Sequence, residues 1–242
     1  MLSIRRSNER GRFKNDWLDA RPRFSFAEYY DPEQMGVSVL RVLNEDVIGP
    51  GGGFPNHPHN NMEIISYVLQ GALEHKDSMG NGSTIRAGDV QRLSAGTGII
   101  HSEFNPSATN KTRLLQIWLL PNRQNVEPSY EQKFFSAKEK QGRLALLVSE
   151  DGRNESIKAN VDALIYGTLL GKEQVVIYTL SADRVAYLQV AMGSVEVNGN
   201  VLNVGDSVTI YAEAMIELIG SDNAEVLLFD LPLNKQTDRD ND

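Results

Sequence analysis

Short stretches in which apolar and polar residues alternate run through most of the chain, and no stretch shows a long helical period. Residues 37–47 are apolar at both odd and even positions, as in a strand covered on both faces. Residues 64–69 and 73–77 flank a Gln70-Gly71 turn, and the apolar segment 112–121 ends at a proline. A period of two bounded by turn residues is typical of β-strands. The pattern therefore predicts an all-β barrel or sandwich.

The same order of turn and strand signals occurs twice along the chain. The shared signals are a glycine turn, a Gly-Asp turn and a buried strand: Gly71, Gly88-Asp89 and 114–121 in the first copy, and Gly193, Gly205-Asp206 and 226–232 in the second. Such repetition indicates two copies of one β unit. We expect one barrel over residues 1–125, a second over 126–234 and a charged, disordered tail over 235–242, with the polar segment 122–140 as the linker.

Two short motifs contain three of the four histidines in the chain. They are His57-Pro-His59 and His101-Ser-Glu103. In an extended strand, residues i and i+2 point to the same face, and their Cα atoms lie roughly 6 to 7 Å apart. Two imidazoles at that spacing can bind one ion through bonds of about 2 Å, and Pro58 stiffens the first pair. The motifs predict a metal site where two strands meet.

The residue types narrow the chemistry of this site. Imidazoles and a carboxylate, in a chain without cysteine, suit first-row divalent ions such as iron, nickel, copper, manganese or zinc. Strand parity from His57 places Glu63 on the same face, where it could act as a base or support a ligand, although a β-bulge could turn it away. For His75, alone after the hairpin turn, a structural role is favoured over a binding role.

The second copy is expected to fold without binding a metal, because it lacks the ligands of the first. Matching the glycine and Gly-Asp turns gives the equivalents of His57, His59, His101 and Glu103 as Thr179, Ser181, Leu218 and Gly220.

Composition excludes several classes of function. A net charge of −8 argues against direct binding to nucleic acid. The absence of cysteine rules out disulfides and fits a reducing compartment. No signal peptide or apolar run of about 18 residues is present, so we expect a soluble, cytoplasmic protein without a membrane segment.

The two spacings resemble the signature motifs of the cupin superfamily: Gly51-x5-His57-x-His59-x3-Glu63 and Gly98-x2-His101-x3-Asn105. Together with Trp17 and the Phe24-Ser-Phe26 segment, they are similar to the pirin family of two-cupin proteins, and closest to its bacterial members with quercetin 2,3-dioxygenase activity. The resemblance implies two tandem, jelly-roll-like cupin barrels, a bicupin.

The resemblance also implies a function. It implies one divalent metal held by His57, His59, His101 and Glu103, with Fe(2+) first and Cu, Ni, Mn, Co or Zn as alternatives. Glu103 or Glu63 is then the catalytic carboxylate that removes the hydroxyl proton of a flavonol-like substrate. Dioxygen opens the ring with release of carbon monoxide, and the protein is expected to be a monomer. The alternative, suggested by animal pirins, is a non-catalytic metal- or redox-sensing regulatory protein that binds another protein.

Overall fold

The computed structural model describes residues 1–233, whose regular secondary structure is almost wholly β-strand, so the all-β prediction is confirmed. The predicted tail, 235–242, lies outside the described residues. The one α-helix, α1 (Ala137–Lys140), has four residues, and no helix of the described part is long and apolar enough to cross a bilayer.

In chain order the strands are β1 (Leu2–Arg5), β2 (Phe13–Lys14), β3 (Leu18–Pro22), β4 (Leu40–Ile48), β5 (Gly53–His59), β6 (Glu63–Gln70), β7 (Ala72–Asp77), β8 (Gly82–Arg86), β9 (Asp89–Ser94), β10 (Ile99–Phe104), β11 (Thr112–Leu119), β12 (Ser129–Phe134), β13 (Ala145–Ser149), β14 (Ile157–Lys158), β15 (Leu164–Leu170), β16 (Val175–Thr179), β17 (Arg184–Val197), β18 (Asn200–Asn203), β19 (Ser207–Ile210) and β20 (Met215–Pro232).

Two sheets form the barrel of the first half. One has the strand order β12-β9-β6-β11-β4-β3-β2, and the other has the order β5-β10-β7-β8. Leu73 of the smaller sheet packs with Ile48 and Leu114 of the larger one, in a buried apolar cluster. This cluster fixes the distance between the two sheets, because burial of apolar side chains is the main stabilising contribution.

The second half forms a comparable barrel from one continuous sheet with the order β1-β19-β17-β20-β15-β13-β14, in which β16 also pairs with β20 and β18 with β17. The long strands β17 and β20 pair with each other through register shifts between Val190 and Val195. Such irregularities bend a strand, so one strand can serve both layers of the barrel. The prediction of two tandem β-barrels is confirmed.

The two halves exchange strands. At the start of the chain, β1 pairs with β19, with Leu2 opposite Ile210. In the opposite direction, β12 pairs with β9, with Tyr130 opposite Leu93. The interpretation of 122–140 as a linker was therefore wrong, because the segment supplies an edge strand and α1. The division at residues 125 and 126 stays a prediction.

A mixed apolar and polar contact joins the barrels. Phe24 and Tyr67 of the first half belong to the same buried cluster as Tyr187 and Phe229 of the second. Within this contact, the buried Lys140 Nζ donates hydrogen bonds to Tyr67 Oη at 2.7 Å and to Glu225 Oε1 at 2.9 Å. The buried lysine is thus paired with partners from both barrels.

Candidate metal centre

Glycines precede each of the two strands that carry the histidine motifs. After β4 ends at Ile48, Gly51 adopts φ +67°, and β5 begins at Gly53. A Cβ atom at Gly53 would lie 2.4 Å from the carbonyl oxygen of Glu103, so only glycine allows β5 and β10 to approach this closely. Gly98, at φ +141°, precedes the start of β10.

The paired strands then set the side chains opposite one another. In the antiparallel pair β5 and β10, His57 lies opposite His101. On the other side of β10, Asp77 of β7 lies opposite His101, and His75 lies opposite Glu103. The structure thus brings together the two motifs that the sequence placed at one site.

Three imidazoles converge at this point. Their ring centroids are 4.8 Å apart for His57 and His59, 4.3 Å for His57 and His101, and 5.0 Å for His59 and His101. Nitrogen atoms of all three lie within 4.8 Å of one another. The Nε2 atoms of His59 and His101 are buried without a hydrogen-bond partner, while His57 Nδ1 lies 2.8 Å from the carbonyl oxygen of Pro55. Unpartnered buried nitrogens are costly, and a bound metal ion would satisfy them, so this set fits a metal.

Burial keeps two of these histidines neutral. It lowers the pKa of His59 to about 4, with a further contribution from the charge of His57. Burial, followed by the charges of the neighbouring histidines, lowers the pKa of His101 to about 3. A metal ligand must be the neutral imidazole, so near neutral pH both residues are ready to bind without losing a proton.

Glu103 lies beneath the histidines and is almost fully buried. Its Oε2 accepts a 2.6 Å hydrogen bond from Gln116 Nε2, and its Oε1 accepts one of 3.2 Å from Ser66 Oγ. Burial raises the pKa of Glu103 to about 7, and these two hydrogen bonds oppose that rise. The Glu103 carboxylate lies within 4.8 Å of ligand atoms of His75 and His101, but it is not in the group formed by His57, His59 and His101. The four predicted ligands are therefore divided between two groups that share His101.

The structure does not bring Glu63 to the histidines. Its Oε2 accepts a 2.7 Å hydrogen bond from Ser94 Oγ, and its Oε1 a 3.3 Å hydrogen bond from Asn160 Nδ2 of the second half. The parity argument was wrong because β5 ends at His59 and the chain turns at Asn61, whose φ is +44°. Glu63 therefore begins a strand of the other sheet.

Sequence reasoning missed a row of polar side chains beneath the site. They are direct cross-strand neighbours on β4, β11, β6 and β9, and all are buried: Asn44, Gln116, Ser66 and Gln91. A signal was present, since Gln116 and Ser66 each interrupt an apolar strand sequence. A buried polar residue in such a strand needs a partner, and here the partner of both is Glu103.

A cavity of about 590 Å³ opens beside His59, with Met62, Ile99 and Trp118 in its wall. A second cavity of about 300 Å³, lined by Phe26 and tyrosines, shares Met62 and Trp118 with the first. The Trp118 ring lies edge-on to His59 at 4.8 Å and to Phe26 at 5.3 Å. An aromatic wall of this kind suits a planar, largely apolar ligand.

The second barrel has an apolar row where the first has its ligands. Leu218 of β20 lies opposite Val176 of β16 and Val197 of β17, and all three are buried. If Leu218 is the counterpart of His101, this register makes Val176, rather than Thr179, the counterpart of His57. Over residues 1–233, both groups of side chains that could hold a metal lie in the first barrel.

Comparison with known proteins identifies relatives over nearly the whole chain. Residues 3–119 match the family Pirin, and residues 146–231 match the family described as quercetinase C-terminal cupin domain. The chain is 46% identical to "Quercetin 2,3-dioxygenase" of Escherichia coli K12, over 96% of this chain and 99% of that protein. It is 40% identical to "Pirin-like protein" of Caulobacter vibrioides, over 95% and 99%. The crystal structure of bacterial pirin YhhW in complex with nickel(II) from Escherichia coli superposes with a TM-score of 0.92 at 44% identity, covering 97% of this chain and 100% of that one.

Proposed function

The chain belongs to the pirin family of two-domain cupin proteins, and on that premise we propose that it is a metal-dependent dioxygenase. Its substrate is a flavonol-like compound, whose ring it opens with dioxygen and release of carbon monoxide. The relatives named quercetin 2,3-dioxygenase support this reaction class. The proposed metal is a divalent transition ion, with Fe(2+) first, and the nickel complex of the related pirin supports a site open to other ions.

One observation carries this proposal: unpartnered imidazole nitrogens face one another beside an aromatic cavity. His57, His59 and His101, whose nitrogens lie close together, would hold the ion, and Glu103, which is close to His101, would be the fourth ligand. When bound, a divalent ion polarises the hydroxyl and carbonyl oxygens of a substrate and lowers the hydroxyl pKa. The cavity beside His59 has the volume for such a substrate.

Glu103 is the proposed acceptor of the hydroxyl proton. Burial raises its pKa to about 7, so it changes charge near neutral pH, as a general base should. Hydrogen bonds from Ser66 and Gln116 fix its two oxygens, which limits the reorganisation needed on proton transfer. Met62 and Trp118 contribute apolar wall to the cavity in which the substrate would lie.

The test compares metal content with turnover in the same preparations. The metal-loaded parent should consume one dioxygen for each carbon monoxide released from a flavonol, and removal of metal by a chelator should abolish this activity. His57→Ala and His101→Ala should lose most of the metal, whereas Thr179→Ala, on the second barrel, should keep it. Full metal content in both histidine variants would contradict the site.

The regulatory alternative makes a different prediction. A metal- or redox-sensing module would bind the ion through the same histidines but show no turnover above that of free metal ion with any flavonol or related enediol. That result, obtained with fully loaded parent protein, would exclude the dioxygenase proposal. The cytoplasmic location and monomeric state stay predictions.

A further inference from the structure

His75 is the histidine that the proposed metal set does not use, and it is completely buried. Three polar contacts surround its ring. Nε2 lies 3.0 Å from Asp77 Oδ2, while Nδ1 lies 3.4 Å from both His101 Nδ1 and Gln91 Nε2. The ring also stacks on Tyr130 at 5.1 Å, which fixes its orientation. A buried histidine with both nitrogens in contact has its proton positions restricted by its neighbours.

The neighbours of Asp77 decide which nitrogen of His75 carries the proton. The carboxylate also accepts hydrogen bonds from the backbone N–H groups of Met79 and Asn81 and from the side-chain amide of Asn81. Burial would raise the pKa of Asp77, but these bonds and that of His75 outweigh it and hold the pKa below its ordinary value. Asp77 is therefore ionised and only accepts, so His75 Nε2 must donate to it.

With its proton on Nε2, neutral His75 presents a lone pair at Nδ1. Gln91 Nε2 can only donate to that lone pair, and His101 Nδ1, at the same distance, must donate as well. Sharing one lone pair between two donors accounts for two contacts of 3.4 Å. If Nδ1 of His101 carries its proton, Nε2 carries the lone pair, and Nε2 is the atom found buried without a partner.

We infer that His75 and Asp77 are positioning residues that fix the tautomer of His101 and aim its Nε2 lone pair at the metal. The chain of donors runs from His101 to His75 to Asp77 and ends on a carboxylate. A ligand histidine that donates its other N–H to an acceptor is held in one orientation and becomes a stronger base toward the metal. This inference rests on the metal site of the proposed function and deepens it.

The same residues could instead form an inner metal site, since His75, His101 and Glu103 also lie within 4.8 Å of one another. The hydrogen bonds favour the chain of donors from His101 to Asp77, because each nitrogen of His75 already has a partner. The two arrangements differ in stoichiometry, since the chain of donors predicts one ion per protein chain and an inner site beside the proposed one predicts two.

The test uses two substitutions at one position with a neighbouring control. His75→Phe keeps a ring in the stack but removes the acceptor, and the metal dissociation constant should rise by about 10- to 100-fold. In His75→Asn the side-chain oxygen can replace Nδ1 as acceptor, so this variant should keep most of the metal affinity that His75→Phe loses. Gln91→Leu removes the other donor to His75 Nδ1, but Gln91 lies outside the chain of donors to the metal. The metal affinity of this variant should therefore stay within about threefold of the parent, a far smaller change than that expected for His75→Phe.

A second measurement reads the tautomers directly in the metal-free chain. In ¹⁵N NMR spectra of the parent at neutral pH, His75 should carry its proton on Nε2 and His101 on Nδ1, and His75→Phe should abolish the preference of His101. Equal affinity in His75→Phe and parent, the opposite tautomers, an equal loss in Gln91→Leu, or two ions per chain would each overturn the inference alone. A parent chain that binds no metal would overturn the metal site as well.

Discussion

Gln116 of one sheet donates a 2.6 Å hydrogen bond to Glu103 of the facing sheet, across the interior of the first barrel. This bond stabilises the ionised carboxylate and lowers its pKa against the effect of burial. The distance between the two sheets therefore affects the pKa of Glu103, and with it the charge of the proposed ligand.

Replacing Gln116 by leucine should raise the pKa of Glu103 further above 7, because the largest opposing hydrogen bond is lost. A smaller fraction of Glu103 is then ionised at pH 7, and metal affinity should fall by about tenfold, with partial recovery at pH 8.5. Competition titration with a chelator at both pH values measures this. Asn44→Leu is the control, since Asn44 is the cross-strand neighbour of Gln116. The same loss in both variants would contradict a specific role for the bond.

Asp46 should give the metal-free protein a distinct pH dependence. Burial, followed by the charges of Glu103 and Glu45, raises the pKa of Asp46 from 3.8 to about 7. Between these two pH values, the folded state holds a proton that the unfolded state has released. The contribution of this group to stability is therefore complete below pH 3.8 and is lost as the pH rises to about 7. Asp46→Asn should remove this loss and raise the free energy of unfolding at pH 8 by at most about 4 kcal/mol.

Urea unfolding of parent and Asp46→Asn at several pH values between 4 and 8 measures that difference. The gain from the substitution should grow as the pH rises through this window. His59 and His101 act in the opposite direction, because their pKa values are lowered in the folded state, but both proteins share their contribution. A gain that is constant with pH would show that Asp46 is ionised in the folded protein.

Lys140 should contribute strongly to the contact between the barrels. Lys140→Met leaves the buried carboxylate of Glu225 without its cation, although the hydroxyl of Tyr67 still donates a hydrogen bond to it. Breaking a buried pair on one side costs about 3 to 5 kcal/mol of unfolding free energy, as measured by urea titration. The double variant Lys140→Met/Glu225→Met should recover most of the loss, because no buried charge remains. Without such recovery, the lysine would act through packing alone.

Trp118 should affect substrate binding more than metal binding. The ring separates the two cavities and contacts both His59 and Phe26. Trp118→Ala should raise KM for a flavonol by about two- to tenfold, since an aromatic contact is worth about 0.5 to 1.5 kcal/mol. Metal content should not change. Trp17→Ala is the matched control, because Trp17 packs on Phe54 and lines neither cavity.

The part of the site that depends on local chain geometry could be predicted from the sequence. Two i, i+2 motifs predicted that two strands would meet, and the structure places His57 opposite His101. The contact of Gln116 with Glu103 could not be predicted, because β10 and β11, although consecutive along the chain, lie in different sheets and the contact depends on how those sheets pack. Parity failed for Glu63 because it holds only within one strand, and the turn at Asn61 interrupts it.

The strands, like the residues of the site, differ in whether the sequence predicts them. The apolar strands of both barrels were predicted because their burial leaves an alternation or an apolar run in the sequence. The edge strand β12, Ser-Tyr-Glu-Gln-Lys-Phe, has a polar residue at most positions, and it pairs with β9 along its whole length. Pairing of that kind leaves little trace in composition, and the segment was therefore interpreted as a linker.

The exchange of strands between the barrels sets an order of events during synthesis. Leu2–Arg5 is made before its partner Ser207–Ile210, which follows about two hundred residues later along the chain. At about 5 to 20 residues per second, that delay is roughly 10 to 40 s. Throughout it β1 has an unpaired edge, while the first barrel can close as soon as Ser129–Phe134 has emerged. The proposed metal ligands, all in the first barrel, thus meet cellular ions before the chain is complete.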